Sequence, residues 1–379
     1  MRVTRDITIG HALVSLLAVL LFGFATNAST TQPAPLRLNE LQYIGSHNSY
    51  HAGLGASETI IWKRFDPATF AILDYAHPSL TKQLDDGVRQ LELDVYGDAQ
   101  GGRYAHPAID NLVRQAGLSP DPPFADPAVM QRPGFKVMHI QDLDQRSHCQ
   151  PFIACLAEIR TWSQAHPTHL PISILVETVL SPACKPYPVV EPEPFDTKAL
   201  DALDAEVRSV FARNEYISPD DVRGQFPTLN AAIRKQGWPT LKSARGKVIF
   251  LLDQRWVGPA YLQGHLSLRG RVFFTNAVPG TDDAAFTELN DGNAASIAGL
   301  VKQGYLVRTR TDADLKEAQR NDTTRRDAML ASGAQLLSTD YPDGEPAATG
   351  YVVSFPAHLH ARCDPLFAQV PCTSAELSP

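Results

Sequence analysis

The sequence has few cysteines, no excess of positive charge and only one long apolar run. Its 379 residues include five cysteines, and 34 lysines and arginines stand against 41 aspartates and glutamates, a net charge of −7. A surface that neutralises nucleic-acid phosphates needs an excess of cations, so we expect no nucleic-acid partner. Hydrophobic residues make up 44% and charged residues 20%. These shares are typical of a globular protein and exclude a disordered chain.

Several common catalytic motifs are also missing. The sequence contains no G-x-S-x-G elbow, no G-x-x-x-x-G-K-[ST] loop, no H-E-x-x-H helix motif and no dinucleotide-binding glycine pattern. Serine-hydrolase, nucleotide-binding and zinc-protease functions therefore find no support in the sequence.

The one long apolar run lies near the first residue. Arg2 and Arg5 precede the run 12–25, and small residues follow it up to Ala28. This order is typical of a secretory signal, and the run is shorter than the roughly 18 to 20 residues that span a bilayer. We therefore expect residues 1–28 to be a signal peptide and residues 29–379 to form the secreted, extracytoplasmic protein. An uncleaved anchor is the alternative.

The five cysteines of a secreted chain allow at most two internal disulfides and leave one thiol. Many pairings are open from the sequence alone. The local pairs Cys149 with Cys155 and Cys363 with Cys372 are the expected ones, and they would leave Cys184 unpaired.

Short apolar runs recur along the whole chain and are separated by longer segments. This alternation is typical of parallel strands joined by helical crossovers. Eight such runs in one domain of this size predict an α/β fold, a single-domain (β/α)8 TIM barrel, with an open doubly wound sheet as the alternative. The eight runs are 41–44, 90–95, 135–140, 172–177, 247–252, 272–275, 305–309 and 335–338.

Three of the segments between the runs are informative. Asp196 is placed to cap a helix that carries Leu200, Leu203 and Val207 on one face. Two other connections, 97–134 and 181–194, are long and rich in proline or glycine. Because barrel active sites are built from loops at the C-terminal ends of the strands, these two are candidate cleft walls, with plain surface insertion as an equal alternative.

Polar residues stand at the ends of the first four runs, where a packed barrel interior does not need them. Side chains alternate along a strand, so Glu92 and Asp94 share one face while Leu91 and Leu93 take the other, under the helices. The acids are therefore expected at the barrel mouth. The six polar residues are His47, Asn48, Glu92, Asp94, His139 and Glu177.

Three carboxylates in one confined site must be protonated or neutralised. A divalent cation is the simplest partner for Glu92, Asp94 and Glu177 together with the side-chain carbonyl of Asn48. All four are hard oxygen ligands, which suit Ca²⁺ or Mg²⁺ rather than zinc or copper, and Ca²⁺ is favoured outside the cytoplasm.

Two histidines near a cation can remove one proton and donate another near neutral pH. His47 and His139 are the candidates. Each residue of the site taken alone has a structural alternative, a hydrogen-bonded histidine or an ordinary surface acid. Their common placement at strand ends favours catalysis.

At this point the sequence resembles the phosphatidylinositol-specific phospholipase C superfamily, and most closely its secreted, Ca²⁺-dependent, phospholipase C1-like group. The matching pieces span almost the whole chain after the signal segment. They are Ile44-Gly45-Ser46-His47-Asn48-Ser49-Tyr50, Gln83 to Arg89 with Glu92-Leu93-Asp94-Val95, Lys136-Val137-Met138-His139, Trp238-Pro239 to Val248, Arg308 to Asp312, and Ser338-Thr339-Asp340-Tyr341-Pro342.

The resemblance implies a division of roles among these positions. His47 and His139 match the catalytic pair, while Asn48, Glu92, Asp94 and, in a less distinctive context, Glu177 match the calcium ligands. The implied reaction is attack of the inositol 2-hydroxyl on its own 1-phosphate, which expels diacylglycerol and forms a cyclic phosphate that water can open. His139 would protonate the glycerol oxygen and His47 would take the hydroxyl proton or stabilise the phosphorane, but the resemblance does not decide between the two assignments.

Charged groups on other runs are candidates for head-group recognition. Arg308 and Arg310 share a face of the seventh run, Asp253 and Asp340 end the fifth and eighth, and Tyr341 can lie against the inositol ring. A salt-bridge network in the barrel mouth is the alternative. The implied partner is phosphatidylinositol in a membrane or micelle surface, met by a monomer.

Two other functions remain open. A glycerophosphodiester phosphodiesterase uses a similar barrel and Glu-x-Asp metal site, but its first strand normally ends in His-Arg-Gly where this chain has His47-Asn48-Ser49. An inactive barrel that binds phosphoinositide or glycolipid is the second alternative, although a pure binder needs no acid and base pair.

Overall fold

The computed structural model of the chain describes residues 35–121, 124, 126–180, 189–367, 372–373 and 377, together with Met1. Residues 2–28 of the predicted signal segment and Cys184 lie outside the described residues. Within the described part, no helix is long and apolar enough to cross a membrane.

Strands and helices alternate along the described chain. The strands are β1 (Leu41–Ser46), β2 (Gln90–Tyr96), β3 (Lys136–Val137), β4 (Ile172–Thr178), β5 (Tyr216–Ile217), β6 (Val248–Leu252), β7 (Phe286–Glu288), β8 (Leu306–Arg310), β9 (Leu336–Thr339) and β10 (Ala361–Cys363). The α-helices are α1 (Ala56–Phe65), α2 (Pro67–Leu73), α3 (Leu80–Asp85), α4 (Ala108–Gln115), α5 (Phe152–Ala165), α6 (Thr197–Val210), α7 (Pro219–Arg223), α8 (Leu229–Lys235), α9 (Leu241–Ala244), α10 (Gly258–Tyr261), α11 (Ala294–Val301), α12 (Lys316–Arg320) and α13 (Thr324–Ala331).

The parallel strands form one curled sheet with the order β5-β6-β4-β2-β1-β9-β8-β7. Among the described strands, the short β5 pairs only with β6 and lies outside the ring. A short extended segment joins β6 to β7 and closes the ring, because Phe274 bridges to Leu251 of β6 and Asn276 bridges to Phe286 of β7, both in parallel. The eight strands of the barrel, called its staves below, are therefore β1, β2, β4, β6, the Phe274 segment, β7, β8 and β9. The predicted α/β barrel is confirmed.

One predicted stave is wrong and another was missed. Of the run 135–140, only β3 is a strand, and it pairs antiparallel with the end of β2, Val137 opposite Val95. The chain then turns back, since the Ile140 amide donates to the Asp144 carbonyl. An apolar run does not encode strand direction. The true additional stave is β7, which has three residues and is too short to stand out as a run.

The predicted helix and both predicted disulfides are present. The Asp196 carboxylate accepts a hydrogen bond from the Ala199 amide at 2.8 Å, which caps α6 at its N-terminus. Leu200, Leu203 and Val207 of α6 are buried. Disulfides join Cys149 to Cys155 and Cys363 to Cys372.

The barrel wall divides the side chains of β2 as the alternation predicts. Leu91, Leu93 and Val95 are fully buried in the main hydrophobic core. Glu92 and Asp94 point to the opposite face, and both are also buried. The acids therefore lie inside the ring, in surroundings that disfavour isolated charges.

Candidate active site

The turn after β1 carries the first candidate residues. The His47 amide donates to the Thr339 carbonyl at 2.8 Å, which ties the turn to the end of β9. Asn48 follows with a φ of 47°, in the left-handed region that asparagine tolerates better than most residues. The turn thus places an imidazole and an amide side chain together at the barrel mouth.

His47 is held by an aspartate from the neighbouring stave. Its Nδ1 lies 2.7 Å from Oδ1 of Asp340, and Oδ2 of Asp340 accepts from the Arg310 guanidinium at 2.9 Å. Burial favours the neutral acid, but Arg310 and His47 outweigh it and hold the pKa of Asp340 well below its usual range. Burial, and then Arg310, lower the pKa of His47. Nδ1 is engaged, so Nε2 is the nitrogen left for proton transfer.

His139 has an equivalent partner on its own turn. Its Nδ1 lies 2.9 Å from Oδ2 of Asp144, and the same oxygen lies 2.9 Å from Nε2 of the fully buried His51. Burial disfavours the imidazolium of His139, but the hydrogen bond and charge of Asp144 outweigh it and raise the pKa of His139. The two candidate histidines therefore have pKa values moved in opposite directions.

An aromatic ring contacts both His47 and His51. The ring of the buried Tyr75 is stacked with that of His47 at a centroid distance of 6.4 Å and lies 4.5 Å from that of His51. Its hydroxyl accepts a hydrogen bond from Nδ2 of Asn48 at 2.8 Å. The amide nitrogen of Asn48 is thereby occupied, and its buried Oδ1 has no hydrogen-bond partner.

Buried carboxylates gather beside the histidines. Oxygens of Glu92, Glu177 and Asp253 lie within 4.8 Å of one another. Asp94 stands directly opposite Glu177 in the register of β2 and β4. Burial, and then the charge of Glu92, raise the pKa of Asp94 to about 8. Burial, and then Asp94, raise the pKa of Glu177 well above its usual range.

These raised pKa values reflect buried carboxylates that crowd together with too little positive charge to neutralise them all. One oxygen of Asp94 accepts from the Tyr50 hydroxyl at 2.8 Å, while its buried Oδ1 has no partner. The buried Oδ1 atom of Asn48 also has no hydrogen-bond partner. Unpartnered buried oxygens next to crowded carboxylates, all of them hard donors, fit a bound Ca²⁺ ion.

Arg308 lies inside the barrel rather than at its open mouth. Its buried guanidinium donates to Glu92 and Ser338 and pairs with Glu288 of β7 at 3.4 Å. Glu288 was not predicted, because a three-residue strand carries no pattern. Arg308 therefore neutralises part of the acidic cluster and leaves Oε1 of Glu92, 3.7 Å from Nε2 of His47, on the histidine side.

The remaining predicted residues border an open cavity. Arg310 is partly exposed, and Asp340 and Tyr341 line a cavity of about 640 Å³ together with Tyr75 and Phe70. Asp253, expected with the head group, lies instead in the carboxylate cluster. The structure thus brings all eleven predicted residues to the mouth or its inner wall.

Sequence reasoning missed most of the residues that hold the histidines, and it assigned Asp340, the partner of His47, to the head group. Asp144 follows His139 by five positions, and His51 follows His47 by four, but both stand in turns, where no periodicity marks the direction of a side chain. Tyr75 lies in the connection between β1 and β2 and carries no motif of its own. Polar residues close behind a candidate histidine were the one available signal.

The comparisons with known proteins identify the family and the fold. The sequence model of the family described as phosphoinositide phospholipase C, Ca²⁺-dependent, matches residues 36–365. None of the curated proteins compared with the chain matches it.

Solved structures are similar in fold. A calcium-dependent phosphoinositol-specific phospholipase C from the Gram-negative bacterium Pseudomonas sp. superposes with a TM-score of 0.52 at 16% identity, over 86% of this chain and 95% of that chain. Its myo-inositol complex superposes with a TM-score of 0.51 at 15% identity, over 88% and 100% of the two chains. At these identities the likeness shows the fold alone.

The fold is thus that of barrel phospholipases C. The chain belongs to the Ca²⁺-dependent phosphoinositide phospholipase C family, since the family's sequence model covers most of its length. It is therefore an enzyme of the phosphoric diester hydrolase class, and its cofactor is Ca²⁺. The resemblance found in the sequence is confirmed.

Proposed function

We propose that the enzyme cleaves the bond between glycerol and phosphate in phosphatidylinositol. The inositol 2-hydroxyl oxygen bonds to phosphorus while the bond to the glycerol oxygen breaks, which gives diacylglycerol and a cyclic inositol phosphate. Water can then open the cyclic phosphate to a monoester. The observation that carries this proposal is the pair of histidines, each bound at Nδ1 by an aspartate, beside an acidic cluster.

The two histidines would divide the proton transfers. An acid and a base are recognised as two groups whose pKa values are pushed apart. His47, with its lowered pKa, is neutral and accepts the proton of the 2-hydroxyl through Nε2. His139, with its raised pKa, donates a proton to the departing glycerol oxygen. In the hydrolysis of the cyclic phosphate the two roles reverse.

The acidic cluster would hold the metal. Asn48, Glu92, Asp94, Glu177 and Asp253 are the proposed ligands, on the grounds of their crowded carboxylates and two unpartnered buried oxygens. When bound, Ca²⁺ supplies positive charge that lowers the pKa of a nearby hydroxyl and stabilises negative charge on phosphate. Arg308 keeps one oxygen of Glu92 occupied and so orients the other.

The partly exposed groups would bind the inositol. Arg310 is fixed by Asp340 and can still offer N–H groups to a phosphate or hydroxyl oxygen. Tyr341 lies beside it at the cavity and offers a ring face. Asp340 and Arg308 contribute indirectly, through the residues they hold, and Asp253 contributes through the proposed metal site.

Exposed apolar side chains stand on connections that leave the C-terminal ends of the staves, which supports a substrate presented in a membrane or micelle surface. Phe65, in the connection after β1, is 59% exposed, and Trp256, in the connection after β6, is 44% exposed. The others on connections that leave the C-terminal ends of the staves are Ile60, Ile72, Leu180 and Val278. Apolar and aromatic side chains at one rim are suited to enter the interfacial layer of a bilayer.

Positive charge beside these apolar residues favours an anionic lipid surface as the partner. Lys63 and Arg64 of α1 are exposed, and their cationic groups lie 4.7 Å from the Phe70 ring and 5.4 Å from the Phe65 ring. Cations next to apolar groups bind anionic head groups while the rings enter the lipid. Phe70 also lines the cavity with Asp340, so this surface adjoins the site.

The remaining expectations complete the proposal. The chain would be exported through the signal at residues 1–28, which would be removed, and residues 29–379 would act outside the cytoplasm as one catalytic domain and as a monomer.

Turnover of phosphatidylinositol micelles with Ca²⁺ and with EGTA tests the proposal, with released inositol phosphates followed by phosphorus NMR. We expect Ca²⁺-dependent formation of a cyclic phosphate or monoester. Cleavage of glycerophosphodiesters with no turnover of phosphatidylinositol would favour the phosphodiesterase alternative. Micelle binding without any turnover would favour an inactive binder.

A further inference from the structure

A third pair of a histidine and a carboxylate lies next to the pair of His47 and Asp340. The side chain of His77 is fully buried, and its Nδ1 lies 2.7 Å from Oε2 of Glu345. Its Nε2 donates to the main-chain carbonyl oxygen of His47 at 2.9 Å. Glu345 thereby holds the ring from the Nδ1 side, while His77 binds the backbone of the residue proposed as the base.

The hydrogen bond from His77 acts next to Asn48, whose backbone conformation is unfavourable without surrounding contacts. A peptide group is planar, so fixing the main-chain carbonyl of His47 also fixes the orientation of the backbone N–H of Asn48. Asn48 has the left-handed φ of 47°, a conformation that persists when surrounding contacts enforce it. The His77 bond is one such contact, and it acts on both a proposed base and a proposed metal ligand.

His77 is itself held rigidly. Its amide donates to the His51 carbonyl at 2.9 Å, and its own carbonyl accepts from the His148 ring. Glu345 lies in the connection after β9, the same connection that supplies Asp340. The pair of His77 and Glu345 therefore ties the turn bearing His47 to the connection bearing its partner Asp340.

We propose that His77 and Glu345 are positioning residues that set the geometry of the His47–Asn48 turn. His77 is fully buried and does not touch the substrate, whereas Glu345 also borders the cavity. Their role rests on the proposed function of His47, and its consequence is that disrupting the pair lowers kcat more than it changes KM. A purely structural role would change stability and leave the imidazole of His47 unaltered in the folded protein.

The test compares His77→Phe with His77→Gln in the full chain. Phenylalanine fills the space without a donor, whereas the glutamine amide can donate to the His47 carbonyl. We expect His77→Phe to lower kcat about tenfold or more, with KM changed by about twofold at most. His77→Gln should recover most of the loss. The matched control is His358→Phe, which breaks an exposed pair with Asp343, at 2.9 Å, outside the site.

The imidazole signal of His47 in ¹H–¹⁵N NMR spectra of the metal-free protein gives a readout that is independent of turnover. It is assigned by its loss in His47→Ala. We expect it to shift in His77→Phe and to stay in place in His358→Phe. If the wild type does not turn over phosphatidylinositol, the proposed function fails while this signal still decides the positioning role.

A folded His77→Phe protein with the control's kcat and an unshifted His47 signal would overturn the proposal. Circular dichroism and the melting temperature establish that the variants are folded. If His77→Phe does not fold, Glu345→Met decides, because it removes the carboxylate that holds the His77 ring and leaves the ring in place. Because Glu345 also borders the cavity, the His47 signal of the metal-free protein is the deciding readout. We expect this signal to shift, and an unshifted signal rejects the role.

Discussion

Nδ1 of His139 lies 2.9 Å from Oδ2 of Asp144, five residues further along the same turn. The carboxylate is buried, and burial favours its protonated form, but His51 and His139 outweigh this and keep the pKa of Asp144 well below its usual range. Asp144 is therefore a fixed negative charge that stabilises the imidazolium of His139. The proton that His139 is proposed to donate is retained to higher pH for this reason.

Replacing Asp144 should move one limb of the pH profile. If His139 must be protonated, activity falls as pH rises through its raised pKa. Asp144→Asn removes the charge that raises that pKa, so the falling limb of kcat/KM should move to lower pH. The rising limb, set by His47, should keep its place. Asp343→Asn, which alters the pair with the exposed His358 and a hydrogen bond from the Gly344 amide, is the control. An unmoved falling limb in Asp144→Asn would assign the limb to another group.

The two histidines proposed as catalytic should each be indispensable. A histidine acting as general acid or base typically supplies roughly 10² to 10⁴ in rate, so His47→Ala and His139→Ala should each lower kcat by about that factor. Both side chains are partly exposed, so the variants should keep the wild-type circular dichroism spectrum. Near-normal turnover in either variant would reject the assignment.

The acidic cluster should control the calcium requirement. Asp253→Asn, like Glu92→Gln and Asp94→Asn, should raise the Ca²⁺ concentration for half-maximal activity by about tenfold or more, because each change removes charge from a proposed ligand. Asp291→Asn removes an exposed carboxylate after β7 and is the matched control. If Asp253→Asn behaves like that control, Asp253 does not belong to the metal site.

The apolar rim should matter for lipid surfaces and not for dispersed substrate. Phe65→Ser should weaken binding to phosphatidylinositol vesicles about tenfold, because the exposed ring no longer enters the lipid. Turnover of a short-chain phosphatidylinositol below its micelle concentration should stay unchanged. Leu266→Ser changes a residue that is 81% exposed and precedes the Phe274 stave, away from the mouth. Equal vesicle binding by both variants would argue against the rim as the membrane-binding surface.

The remaining cysteine should be dispensable for disulfide formation. Cys184→Ser should leave two bridges in the oxidised protein, because the other four cysteines pair with each other. Peptide mass mapping without reduction counts the bridges. Loss of one bridge in this variant would mean that Cys184 exchanges with one of the observed pairs.

Much of the site was predictable because strand periodicity decides the face of a side chain. Glu92 and Asp94 alternate with Leu91 and Leu93, and this alternation alone places the acids inside the ring. A parallel barrel then gathers the ends of its strands at one mouth, which brings Glu177 and Asp253 to the same cluster. Side chains in turns and connections follow no such alternation, so Asp144, Tyr75 and His77 were not predicted.

The pattern of apolar runs also could not predict the direction of each strand or the way the barrel closes. The apolar residues of 135–140 are as suited to an antiparallel strand as to a stave, and β7 is too short to be recognised. The sequence by itself determined the residue types, their alternation and the helical crossovers, since these depend on neighbours in the chain. Only the tertiary structure decided which aspartate holds which histidine, because Asp340 and His47 are 293 positions apart and meet where two staves lie side by side.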